Sequence, residues 1–158
     1  MFVARQKRVK SNPAGLSPCF RDRSQAHHRV VENLLQRVIS SLEASDTREG
    51  KDRWNTFESS LRAHMEIEER VISTFAHVHH QDARALLREH YDIRTRVAEI
   101  EALLKLNMCR PRIVRDLLDS VRAHAAHEDR MLYPWMEENL SDADKALIID
   151  QLPPEGTS

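Results

Sequence analysis

Glycine is nearly missing from this chain, with three residues in 158. Sheet-rich folds need turn residues every ~10 positions, and here Val and Ile are scattered rather than alternating, so such folds are disfavoured. Cysteine is equally scarce. Cys19 and Cys109 are the only two, too few for a disulfide framework, and a reducing cytoplasm is the expected setting. No apolar run approaches the ~20 residues of a bilayer-spanning helix, so no membrane association is expected. A dominant charge is lacking too. The 24 basic and 25 acidic residues leave a net charge of −1, which gives no general pull toward nucleic acid. The basic start (Arg5, Lys7, Arg8, Lys10) lacks the apolar stretch of a secretory signal and reads as a flexible arm. No Gly-rich phosphate loop, Cys-x-x-Cys pair or nucleophile elbow occurs.

What is present is an ordinary soluble composition, 41% apolar and 31% charged, of a length that suits one domain with a real core. Apolar residues recur at three- and four-residue steps, the mark of amphipathic helices. Val31, Leu34, Leu35, Val38 and Leu42 outline a first helix over about 23–45, which Ser45, Asp46, Thr47 and Gly50 should break. A second, about 51–78, carries Trp54, Phe57, Leu61, Val71 and Phe75, and a third, about 81–107, carries Leu86, Leu87, Val97, Ile100 and Leu104. Pro111 suits the first turn of a fourth, holding Ile113, Leu117, Val121, Met131 and Trp135, which Pro134 should end or kink. Ser141 resembles the N-cap of a short last helix. The expected architecture is all-α: an antiparallel up-down-up-down four-helix bundle over residues 23–152 with a short C-terminal helix. Residues 1–22 form the arm and 153–158 a tail.

Nine His are an unusual richness, and two sit in a repeated phrase. LRAHMEIEERVI (Leu61 to Ile72) returns sixty residues later as VRAHAAHEDRML (Val121 to Leu132). His64 and Glu68, like His124 and Glu128, are four residues apart, about 40° around a helix and about 6 Å along it. With His64 at zero, Phe57 and Phe75 fall at about 20°, Leu61 at about 60° and Val71 at about 340°. Both His-Glu pairs therefore lie within apolar stripes. His28 shares the face of Val31, Leu35 and Leu42, and His90 that of Ala83, Leu86 and Val97. Counting ~1.5 Å per residue up and down each hairpin puts all six side chains in one layer, within about a helical turn.

Burying such a layer costs several kcal/mol per unpaired ion. Arg94 is the one basic residue near that face, so bound cations resolve the problem better than ion pairing or protonated carboxylates. Imidazole with carboxylate suits iron, zinc or manganese.

These residues resemble the hemerythrin-like (HHE cation-binding) family. The likeness runs from about His28 to Leu152. It rests on the doubled His-x-x-x-Glu followed by an acidic residue (Glu69, Asp129) and an apolar pair, on His28 and His90, and on Met131-Leu132-Tyr133-Pro134 near the fourth helix end. The resemblance implies a four-helix bundle around two iron ions, a non-haem di-iron centre. His28 and His64 would ligate one, His90 and His124 the other, and Glu68 and Glu128 would bridge. Arg94 stands where oxygen-carrying hemerythrins have a further His, and the last carboxylate follows its His by four residues rather than five. The pattern is thus closer to symmetric four-His variants, with open positions for oxygen, peroxide or nitric oxide, or for iron handling. Binding or sensing leads this reading. A di-iron enzyme (peroxide removal or iron oxidation) and a metal-free helical interaction module are the alternatives. A ferritin-like bundle would need core-facing Glu-x-x-His pairs, which are missing.

Several neighbours are expected to be structural. His27 points about 100° from His28 and should be partly exposed. His127 flanks its stripe, and Glu32 sits at a solvated edge. His77, His79 and His80 should face the negative end of the second helix. Tyr91 and Tyr133 are read as packing residues, and Cys109 as an inert thiol near a helix end.

Overall fold

A computed structural model of the chain describes residues 20–152. The expected arm and tail lie almost wholly outside that range. Five helices follow in order: α1 (Phe20–Glu43), α2 (Thr47–Phe75), α3 (His80–Lys105), α4 (Pro111–Asn139) and α5 (Asp142–Gln151). α1 and α3 each pack on both α2 and α4, and α5 leans on α1, which is the ring of an up-down-up-down bundle.

The turns explain where the helices stop. Ser45 and Asn107 take left-handed backbone (φ 60 and 55). After them the Asp46 and Met108 amides bond back to the Ser41 and Leu103 carbonyls, closing helix ends that would otherwise strand their carbonyls. The Asp46 side chain accepts from the Glu49 amide, so α2 begins four residues before the expected start. Gly50 is therefore inside α2 and not a breaker. Its amide bonds the Asp46 carbonyl, and an added Cβ would stand 3.3 Å from the flexible end of Leu42. Gly50→Ala is expected to stabilise the protein by about 0.5 kcal/mol, because the helix gain of nearly 1 kcal/mol exceeds so small a displacement; denaturant unfolding measures it.

Other boundaries differ from expectation, among them the end of α2, at Phe75 rather than about 78. α1 is already helical at Phe20, the first described residue, rather than from about 23, and its first turns are tied to α4: Arg21 Nη2 donates to the Asp129 carbonyl and Gln25 Nε2 to Asp129 Oδ1, both at 3.1 Å. Pro134 does not end α4, which runs on to Asn139. Buried Tyr133 and Met136 anchor the chain on either side of it, and tertiary packing overrides one missing amide donor.

The apolar core falls into two clusters. One gathers Leu35, Trp54, Phe57, Ile100 and Leu117 with their neighbours; the other gathers Ile72, Phe75, Leu86, Leu132 and Met136. His28, His64, Glu68, His90, His124 and Glu128, all buried, separate them.

Candidate metal centre

Each helix of the bundle contributes to that layer: α1 His28, α2 His64 and Glu68, α3 His90, α4 His124 and Glu128. The imidazoles meet in pairs. His28 Nε2 is 3.0 Å from His64 Nε2, and His90 Nε2 is 2.9 Å from His124 Nε2. The carboxylates lie between: Glu68 Oε1 is 2.9 Å from His64 Nε2, and Glu128 Oε1 is 3.2 Å from His124 Nε2. Each also reaches across. His28 Nε2 is 3.2 Å from Glu128 Oε2, and His90 Nε2 is 3.6 Å from Glu68 Oε2. Two four-residue sets result, His28–His64–Glu68–Glu128 and Glu68–His90–His124–Glu128, each with donor atoms within 4.8 Å of one another. Either set could hold a metal ion, and the two share both carboxylates.

Hydrogen bonding alone leaves this layer incomplete. Glu68 Oε2 and Glu128 Oε1 are buried yet accept no hydrogen bond, a deficit worth ~1–3 kcal/mol each. A facing pair of imidazole nitrogens can share only one proton. Convergent lone pairs with too few protons to join them are what cations complete.

In the metal-free protein, protons do part of that work. Burial opposes charge on His28, but its contacts with Glu128 and Glu68 prevail and raise its pKa to about 10. His124, likewise opposed by burial, is raised to about 10 chiefly by Glu128, and His90 to about 9 by Glu128 and Glu68. Burial and the Glu68 charge push Glu128 up, yet His124 and His28 bring it to about 2. Glu68 falls well below the usual range despite burial, led by the His64 charge.

A family model matches at this point: the Hemerythrin HHE cation binding domain, over residues 21–145. The chain belongs to the hemerythrin-like, HHE cation-binding family. No curated protein and no solved structure matches it closely enough to add to this. The match takes in all four bundle helices apart from Phe20, hence the whole hemerythrin-like layer.

Around that layer the structure adds groups the sequence reading placed elsewhere. Tyr133 is no mere packing residue. Its hydroxyl lies 2.8 Å from Glu68 Oε1, 3.3 Å from Glu128 Oε2 and 3.0 Å from His28 Nε2. Burial, then the negative Glu128 and Glu68, raises its pKa well above 10, so it stays a proton donor. Tyr133→Phe is expected to cost the metal-free protein about 1.5–3 kcal/mol in denaturant unfolding, the usual worth of a bond to a charged acceptor. Glu89, unremarked in the sequence, accepts from His124 Nδ1 at 2.7 Å and His127 Nδ1 at 2.8 Å. Glu69 stands 3.0 Å from His90 Nδ1 and also takes Arg94. Arg94 therefore neutralises Glu69 and not the central carboxylates. His27 is buried, not partly exposed: it stacks on His64 with ring centres 4.7 Å apart. The α1–α2 contact closes over its flank, and burial joined by the His64 and His28 charges lowers its pKa to about 3.

The remaining candidates are peripheral. Glu32 pairs with Arg122 at 2.8 Å. His79 stacks on Phe75 and sits 3.8 Å from Asp82, at the start of α3 rather than the end of α2. Tyr91 is exposed. Cys109 is half-buried, and burial raises its thiol pKa.

On one side of the layer, His28, His64 and His124 border an apolar cavity with Val31, Leu61, Met65, Ile93, Val121 and Ala125. It measures about 10 Å³, room for a single water-sized molecule.

Proposed function

We propose that this hemerythrin-like protein binds two iron ions, one between His28 and His64 and one between His90 and His124, with Glu68 and Glu128 bridging. We further propose that the loaded centre binds or senses a small oxidant: oxygen, peroxide or nitric oxide. The observation that carries this reading is the pair of four-residue donor sets joined through the same two buried carboxylates. Iron, when bound, supplies redox chemistry and open coordination positions for such a ligand. The chain's own residues do the rest. The imidazoles hold the cations, Tyr133 keeps a proton against Glu68, and the apolar wall of Val31, Leu61, Ile93 and Val121 leaves space for one water-sized molecule beside the layer and excludes bulk water.

Zinc or manganese would satisfy the same donors, since ligand type selects weakly among these ions. No helix among the described residues is long and apolar enough to cross a membrane. A cytoplasmic setting belongs to the same reading and rests on the two-cysteine composition. Metal analysis with an optical spectrum of aerobically purified protein tests the proposal. Two irons per chain are expected in the native protein, none in Glu128→Ala, which breaks both sets, and one or none in His64→Ala. Full iron content in Glu128→Ala would refute it.

A further inference from the structure

The layer is symmetric in its donors and asymmetric in what stands behind them. On the α3–α4 side, both imidazoles have a carboxylate on the far nitrogen, Glu69 on His90 Nδ1 at 3.0 Å and Glu89 on His124 Nδ1 at 2.7 Å. These carboxylates are themselves held, Glu69 by Arg94 and Glu89 by His127. Such a partner fixes the tautomer with its proton on Nδ1, turns the Nε2 lone pair inward and makes that nitrogen a stronger donor.

The α1–α2 side is built differently. His64 Nδ1 is buried and has no hydrogen-bond partner. Against its ring lies another imidazole, His27, stacked at an interplanar angle of 24° with neither of its own nitrogens bonded. Nothing there selects the tautomer of His64 that would present Nε2 to a cation. Tyr133 widens the difference. Its hydroxyl lies 3.0 Å from His28 Nε2, the atom that would ligate, so an arriving cation must displace that contact.

Resting on the two-cation reading above, we infer that the two positions are unequal. The position between His90 and His124 fills first and holds its ion about tenfold or more tightly than the position between His28 and His64, with Glu69 and Glu89 as the positioning residues. Loss of such outer partners costs about 10–100-fold in metal affinity, which sets the size of the gap. Under limiting metal the protein then rests with one ion, and the second position is the exchangeable one.

Stepwise uptake alone would not distinguish this from a symmetric pair, because two nearby cations repel each other in any case. The location of the first ion decides. The test is one equivalent of Zn²⁺ added to metal-free, ¹⁵N-labelled protein, with imidazole nitrogens read by NMR. His90 and His124 Nε2 are expected to shift while His28 and His64 stay, at an occupancy ratio of about ten to one or more. Glu89→Gln should move the ratio partway toward one, and Glu69→Gln with Glu89→Gln most of the way. The second equivalent still binding, and an unchanged helical circular dichroism, show those variants folded. A first ion at His28 and His64, an even split in the native protein, or a preference that survives both substitutions overturns the inference and leaves the two-cation reading standing. Spectra unmoved at two equivalents overturn that reading, and the inference with it.

Discussion

Stripping the cations from the loaded protein is expected to lower its melting temperature by about 15–30 °C. An ion that binds the folded chain and not the unfolded one stabilises by RT ln(1 + [L]/Kd), about 4 kcal/mol at a thousandfold excess over Kd. Two such ions give about 8 kcal/mol, and for a chain of this size each kcal/mol moves the midpoint by about 2–4 °C. The effect is large here because the layer is internal. Glu68 Oε2 and Glu128 Oε1 accept no hydrogen bond within the protein, and the layer that holds them lies between the two clusters of the apolar core. Thermal unfolding before and after chelation measures it. An unchanged midpoint would favour a metal-free helical module, in which the polar layer serves packing alone.

The second large effect is in protons. His28 and the His90–His124 pair, whose facing nitrogens share a single proton, hold theirs at neutral pH in the metal-free protein, because, against the effect of burial, the neighbouring carboxylates raise these pKa values to about 10, about 9 and about 10. A ligating imidazole must be neutral. Filling both positions at pH 7 should therefore release about two protons, one from each facing pair of imidazoles, and overall affinity should rise by about two powers of ten per pH unit until those groups titrate. Calorimetry in buffers of different ionisation enthalpy counts the protons. Acid should empty the site, and metal retained in full at about pH 4 would argue against imidazole ligation.

The same charges set the pH dependence of the metal-free fold. Groups raised in the folded state stabilise fully below their unfolded value of 6.5, and that contribution is lost as pH climbs through about 9 to 10. Glu128, depressed to about 2, stabilises above its unfolded 4.5 and loses its effect as pH falls through about 2. His27 acts oppositely to the other imidazoles. With its pKa at about 3, it penalises the folded state progressively below 6.5. Stability of the chelated protein should thus peak at about pH 6.5 and decline on both sides, as melting midpoints across pH would record.

Much of this was written in one dimension. The sixty-residue repeat and the helical periods place His64, Glu68, His124 and Glu128 on buried faces, because a helix converts spacing directly into direction. Short connections then fix antiparallel neighbours, and counting residues along each hairpin brings His28 and His90 to the same level. Helix ends were less legible. Gly50 and Pro134 read as interruptions by local propensity, yet an aspartate cap and flanking buried side chains carry the helices through both.

The sequence by itself determined the six inward-facing donors and the bundle that gathers them, since both follow from periodicity within single helices. Only the tertiary structure decided what surrounds them: Tyr133 between the two carboxylates, Glu89 behind His124, Glu69 shared by His90 and Arg94, and His27 sealed against His64. Apart from the approach of Tyr133 to Glu128 within α4, each of these is a contact between different helices, and it depends on the axial shift and rotation of one helix against another. No spacing within a helix encodes those two quantities; the packing of whole side-chain faces sets them.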